Sequence, residues 1–419
     1  MTTPPPECPA RTAASPVPLS GITASTSLPD TYHDLRETWG PVARVELEPG
    51  VNAWLVMGHP ELLHLVRNEH VFSRDARNWG DYQSGVVAPD SGLGPMMFYR
   101  DNVIGADGME HRRLRRPLDD ALAAVDQRQM RRIVERTCRD LLAAFRHRGH
   151  ADLVSEYAQI VPLLALAAVS GLDPQERQEL LETLAALFGS ADDAQDGNRR
   201  FEEILARLIR ARQVKGASDM ASSLVRHPDL RSDDEILQSL VVLISAGQQT
   251  LSAWISRALW LMLTDPRFES RLRGGRLGVG EALDEVLWHD PPMTHMPARY
   301  ALIDTELGGR RIACGDALIL GLAAANADPR IHTDAMEREI DNRSHLGWSA
   351  GPHQCPARTP ARLIARVAVE QALHGLPRIA LSVPAEAVTS FPSPWMRHLE
   401  TLPVTFAPAR DTALDPSVR

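Results

Sequence analysis

The sequence predicts a mainly α-helical chain with small β-sheets, and three observations carry that prediction. From Pro60 onward most segments place apolar residues at three- and four-residue intervals, the period of one helix face. The longest of them, 233–264, encloses a predominantly apolar run from Ile236 to Leu263. Strand-like alternation is confined to 42–56 and to short pieces of 301–319.

The first twenty residues are rich in Pro, Ser, Thr and Ala and hold no apolar core of signal-peptide length, so 1–29 reads as a disordered lead-in. Residues 42–56 alternate between Pro and Gly breaks and predict a small sheet. Helices are predicted over 127–146, 153–170, 174–188, 199–214, 233–264 and 280–288. The glycine-rich stretch 272–280 follows no predicted strand and contains no Gly-Lys-Ser/Thr, so it reads as a connector, not a nucleotide loop. Gly308-Gly309 and Gly315 split 301–319 into short strands. A helix over 360–374 precedes strand and loop material. No internal repeat is present, and 30–408 reads as one large domain followed by a flexible tail, 409–419.

The formal net charge of −9 argues against general nucleic-acid binding, which requires a concentrated positive surface. The four cysteines, Cys8, Cys138, Cys314 and Cys355, have neither metal-finger nor disulfide-framework spacing, which fits a reducing cytoplasm. No stretch reads as a membrane span; the most apolar run, 161–172, has the length of a buried helix.

Cys355 lies in His345-Leu346-Gly347-Trp348-Ser349-Ala350-Gly351-Pro352-His353-Gln354-Cys355-Pro356-Ala357-Arg358, a turn-rich segment feeding a helix. Backbone N–H groups at such a helix start favour a thiolate, the form of cysteine that binds metals. Gly351 would let the backbone approach a flat cofactor closely. A hydrolase with Cys355 as nucleophile is the poorer reading, since His353 is its only nearby base and nothing completes a triad.

This segment resembles the haem-binding loop of the cytochrome P450 family, whose aromatic residue, glycine, basic residue, ligand cysteine and small residue correspond to Trp348, Gly351, His353, Cys355 and Ala357. Other segments resemble the family in the same order along roughly 30–408. Glu110-His111-Arg112-Arg113-Leu114-Arg115-Arg116 puts His111 and Arg115 on one helix face. Ser245-Ala246-Gly247-Gln248-Gln249-Thr250 lies in the long central helix. Asp284-Glu285-Val286-Leu287-Trp288-His289-Asp290-Pro291-Pro292 ends in the family's double proline, and Ala323-Ala324-Ala325-Asn326-Ala327-Asp328-Pro329 precedes the haem loop.

The resemblance implies a fold with haem b, iron protoporphyrin IX, between the central helix and the Cys-loop helix, with Cys355 as its metal ligand. It implies that His111, Arg115, Arg299, His345 and His353 serve the propionates, with Trp348 and Gly351 shaping the loop. Thr250, Gln249, Ala246 and Gly247 would handle dioxygen, the last two by leaving space. Trp79, Tyr82, Met96, Phe98, Leu243, Met293, Met296, Phe391, Trp395 and Met396 would line an apolar, partly aromatic substrate cavity. His289 and His295 have no comparable positional support.

Departures from the family pattern are visible too. Ser349 and Ala357 replace common glycines, and Gln249 replaces an acid, so it can orient water but cannot relay a proton by ionising. Trp288 stands where the family has the arginine of its Glu-x-x-Arg pair. A buried Glu285 then needs another cation, and Arg338 or Arg343 is expected to supply it.

The expected activity is a monooxygenase acting on a small, aromatic secondary-metabolite intermediate, with electrons from a separate ferredoxin and its reductase. Arg112, Arg113, Arg115 and Arg116 could present a landing patch for such an acidic donor or form an ordinary charged face. Oxidative C–C or C–N coupling, for example of cyclic dipeptides, is the alternative, and a haem protein that binds without turnover is a second.

Overall fold

The computed structural model describes residues 15–25, 27–187, 191–268, 278–331 and 343–408, with backbone only for 184–187 and 191–195. Strands β1 (Val17–Pro18), β2 (Val42–Glu48), β3 (Val51–Val56), β4 (Phe72–Ser73), β5 (His150–Asp152), β6 (His295–Ala301), β7 (Thr305–Leu307), β8 (Arg310–Ile312), β9 (Ala317–Gly321), β10 (Ala380–Leu381) and β11 (Pro403–Thr405) form three small sheets. The largest has the order β1-β2-β3-β9-β6-β4. The expected 42–56 sheet is the antiparallel β2–β3 hairpin, with Val45 opposite Ala53. Parallel pairing of Leu55 with Ile319 joins it to β9, and Tyr300 of β6 pairs with Ala317.

The central helix, Asp233–Thr264, organises the helical side. Ser232 caps it by accepting from the Glu235 N–H at 3.2 Å, and Asp233, Asp234 and Glu235 complement the positive end of its dipole. Leu240, Ile244, Ile255, Ala258, Leu259 and Met262 are buried against the helices Ile160–Ser170, Val279–His289 and Arg358–Gly375. This helix corrects the expectation that no stretch is long enough to span a membrane, because it is 32 residues long and sufficiently apolar. Half of its apolar window is buried by packing within the chain.

Two other expectations change. Residues 153–170 are not one helix: a π-helical turn, Val154–Ala158, precedes Ile160–Ser170. Pro162 has no N–H for the Ala158 carbonyl, so an uninterrupted helix would lose that bond, whereas proline is tolerated in the first turn of a new one. The packed body also begins before residue 30. Val17 pairs with Val45, and Leu19 and Ile22 are buried against the sheet. Phe188, most of the 272–280 connector and the 409–419 tail lie outside the described residues.

Candidate functional site

The central helix is buried around its middle, yet Ser245, Ala246 and Gln249 are exposed there. An exposed strip between buried turns marks the wall of a cleft. Thr250 borders it, with its hydroxyl donating to the Ala246 carbonyl at 2.8 Å. Trp254, one turn further on the same face, meets Trp348 edge to face at 5.3 Å. That contact lays the strip against the Cys355 loop. Gly247 faces elsewhere, since a Cβ there would come within 2.8 Å of Leu166 Cδ1. Its missing side chain leaves room for Leu166. Gln248 Nε2 donates to the Gln159 carbonyl and anchors the helix at the π-turn junction.

Two residues in the left-handed half of backbone space shape the Cys355 loop. Gly351 has φ +73°, and a Cβ there would lie 2.5 Å from the Val66 carbonyl oxygen, so glycine is required by the neighbouring backbone. Ser349 has φ 56° and ψ −167°, a region otherwise left to glycine. The Cys355 N–H donates to the Trp348 carbonyl at 3.0 Å. Burial raises the thiol above its ordinary pKa, while the Ala357 N–H at the helix start opposes that shift. Cys355 as a residue is partly buried.

Beside the loop, the rings of His111 and His353 lie 3.9 Å apart. Both nitrogens of His111, Nε2 of His353, and Nε and Nη2 of Arg299 are buried without partners. Burial, aided by nearby Arg115, lowers His111 to about 4. Burial also lowers His353 to about 3 and Arg299 to about 9, where nearby Arg74 adds to the effect. Orphaned buried donors are costly. An anionic group would satisfy them and return the positive charge to favour, so this cluster fits haem carboxylates.

The sequence reading missed Glu69, Arg74 and Asp107. Glu69 and Asp107 each place a carboxylate oxygen 3.6 Å from His353 Nε2. Glu69, His111 and His353 also hold their ligand atoms within 4.8 Å of one another, as a metal trio would, but the orphaned Arg299 favours an anion. Asp107 begins the helix Gly108–Ala123 without capping it, accepting instead from the Ser73 hydroxyl at 2.5 Å and the Arg74 N–H at 2.9 Å. Burial alone would raise Asp107; nearby His353 and the hydrogen bonds it accepts from Ser73 and Arg74 hold it below the usual range. Arg74 is buried and donates to the Pro297 and Ala298 carbonyls. The available signal was an Asp before a helix, which ordinarily reads only as a cap.

Other expected site residues have partners within the chain. Arg115 donates to the Gln354 carbonyl at 2.7 Å and to Asp119 at 2.8 Å, stapling the loop beside Cys355. His345 accepts from the Gly347 N–H at 3.2 Å and packs edge to face on Trp288 at 5.7 Å, and its Nε2 is buried without a hydrogen bond. The cation at Glu285 is Arg267, at 2.9 Å. Arg343 lies 3.6 Å from Asp284, and Arg338 is outside the described residues. Of the arginine cluster, Arg113 is tied to Glu235 at 2.7 Å, leaving Arg112 and Arg116 exposed.

The aromatic set divides. Trp79 is buried, stacked between Tyr300 at 5.8 Å and Tyr82 at 6.3 Å, and Trp395 and Met396 are buried in the same packed group. Tyr82, Met96, Phe98 and Met293 are partly buried at its margin. Leu243 and Met296 pack against other parts of the core, and Phe391 is 52 % exposed, stacked on His398. Trp79 and Trp395 therefore stand in packed core, while Phe391 is half exposed.

No protein-family model matches the chain. The chain is 28 % identical over 361 residues to 2-hydroxy-5-methyl-1-naphthoate 7-hydroxylase of Streptomyces carzinostaticus, covering 82 % of this chain and 85 % of that protein. It is 30 % identical to the solved structure of CYP154A1 from Streptomyces coelicolor A3(2), with a TM-score of 0.77 over 90 % of this chain and 97 % of the other. A third similarity, at 25 % identity and a TM-score of 0.81 over 94 % and 99 %, is to CxnD, a cytochrome P450 enzyme described as acting in C–S bond formation in chuangxinmycin biosynthesis.

Proposed function

Since this chain belongs to the cytochrome P450 family and is an oxidoreductase of the monooxygenase type, we propose that it inserts one oxygen atom into a small, apolar, partly aromatic intermediate of secondary metabolism. The observation that carries this reading is the Cys355 loop set against the exposed strip of an otherwise buried helix, beside buried donors that lack partners.

Bound haem b would supply dioxygen activation, with electron density from the Cys355 thiolate favouring O–O cleavage. His111, His353 and Arg299 would hold its carboxylates in a desolvated pocket, where charge-assisted hydrogen bonds are strong. Thr250 stands at the cleft edge with a hydroxyl able to hold or pass a proton. Gln249, exposed beside it, orients water through its amide. Tyr82, Met96, Phe98 and Met293, at the margin of the aromatic group, offer the substrate an apolar wall. Electrons come from a separate ferredoxin and its reductase, and Arg112 and Arg116 supply positive charge for docking.

A second reading, oxidative coupling, draws support from Gln249 standing where the family has an acid and from the neighbour described for C–S bond formation. Reconstitution with a ferredoxin and reductase, using aromatic carboxylates and aromatic cyclic dipeptides as trial substrates, separates the readings by product mass. Hydroxylation adds one oxygen; coupling removes hydrogens or doubles the substrate. A substrate-induced spectral change without product would indicate a binding protein. Cys355→Ala is expected to abolish both the red-shifted ferrous-carbonyl band and turnover, and persistence of either would sink the haem-thiolate reading.

A further inference from the structure

We propose that Asp284 is the carboxylate that positions the Cys355 loop, through Arg362 on the helix that follows it, while the adjacent Glu285 serves the surface; the inference rests on the haem-thiolate reading above. Asp284 and Glu285 are neighbours on the helix Val279–His289, so their side chains leave it roughly 100° apart. Asp284 is 9 % exposed. It accepts a hydrogen bond from Arg362, on the helix that follows the loop, and lies 3.6 Å from Arg343, on the segment that precedes it. Arg362 is only 24 % exposed and carries the tie to the flank that follows Cys355, whereas Arg343 is 59 % exposed and its longer contact adds little.

A second chain of contacts reaches the loop itself. The Arg362 guanidinium lies 5.9 Å from the Trp254 ring centroid. Trp254 Nε1 donates to the carbonyl of Leu283, the residue before Asp284, at 2.9 Å. The same indole meets Trp348, whose carbonyl accepts the Cys355 N–H. Carboxylate, guanidinium, two indoles and the ligand's backbone form one packed series.

Glu285 has different surroundings. Its partners, Arg267 at 2.9 Å and His289 at 3.7 Å, belong neither to the loop nor to its flanks, and the Arg267 side chain is 64 % exposed. A pair so exposed is screened and contributes little, whereas removing one member of a buried pair leaves the other charge uncompensated. Trp288, on the same helix, packs on His345 and offers no cation to either acid.

The test uses purified holoprotein and the ferrous-carbonyl spectrum, which reports thiolate ligation, with circular dichroism to confirm folding. Asp284→Asn is expected to lower the fraction of haem in the thiolate-ligated form by on the order of tenfold. Asp284→Glu should recover most of it, and Glu285→Gln should match wild type. Arg362→Gln removes the same pair from its more accessible end, and folded protein from this variant must show a loss of similar size that does not add to that of Asp284→Asn. An unchanged band in both variants, or an equal loss in Glu285→Gln, overturns the inference alone. A wild-type holoprotein without the band overturns the haem-thiolate reading and this inference with it.

Discussion

His111 and His295 are both buried histidines, yet the first has neither ring nitrogen partnered and the second has both. His295 bonds the Tyr32 hydroxyl at 2.8 Å and the Pro394 carbonyl at 3.0 Å. The contrast extends to their regions. Around the Cys355 loop, Arg299 and His353 also hold buried polar atoms without partners, while in the aromatic group Tyr300 donates to the Met97 carbonyl and Trp79 is enclosed by stacked rings. Buried polar groups are mostly hydrogen-bonded, so a cluster of unbonded ones around one loop points to a group outside the chain that completes them. Satisfied rings, by contrast, are already doing their work as core. The difference separates residues that await a ligand from residues that resemble ligand contacts only in the sequence.

The largest expected effect breaks this contrast on the aromatic side. Trp79→Ala should lower unfolding free energy by about 3–5 kcal/mol, as loss of a buried indole does. A loss below about 1 kcal/mol in chemical denaturation would return Trp79 to the cavity wall. On the other side, Arg299→Met should leave the fold intact, since it removes a buried charge lacking a full set of partners, yet speed haem transfer to an acceptor globin by on the order of tenfold. Unchanged transfer would mean that Arg299 does not face the cofactor.

Protonation sharpens the comparison. His295 is held neutral in the fold, with burial lowering its pKa to about 4. Between that value and its ordinary one near 6.5 the unfolded chain binds the additional proton, so stability present above about pH 6.5 is lost as pH falls toward 4. His111 shifts the same way for the same reason. Haem carboxylates would oppose its shift alone. Histidine-selective NMR in the diamagnetic ferrous-carbonyl state should find His111 titrating higher than in haem-free protein, and His295 unmoved. Equal behaviour of the two would erase the distinction.

The smallest effect is local. Ser349→Gly should raise stability by about 1 kcal/mol, because glycine occupies φ 56° without the steric cost that serine bears there. A lower melting temperature would show that the Ser349 side chain contributes more than its backbone strain removes.

Much of this molecule was legible from short-range pattern. The 127–146 and 233–264 helices were, because apolar period is a property of neighbouring residues. So was the Cys355 loop, where prolines, glycine and a following helix lie within a few positions of the thiol. Gly351 was recognised as a close-approach glycine, but the surface that approaches it is the Val66 carbonyl, which its neighbours in sequence do not reveal.

The sequence by itself determined a mainly helical chain, the haem-loop resemblance and the thiol on which the chemistry depends. Tertiary structure decided which charges meet. Glu285 and Asp284 are adjacent acids with equal standing in the sequence, and only the rotation of their helix buries one between Arg343 and Arg362 and leaves the other to Arg267. His111 and Arg115 share a helix face as expected, yet one ends against His353 and the other on the Gln354 carbonyl. Periodicity acts over a turn or two of chain. The partner of a long charged side chain is set by whichever distant segment packing brings within about 3 Å of it.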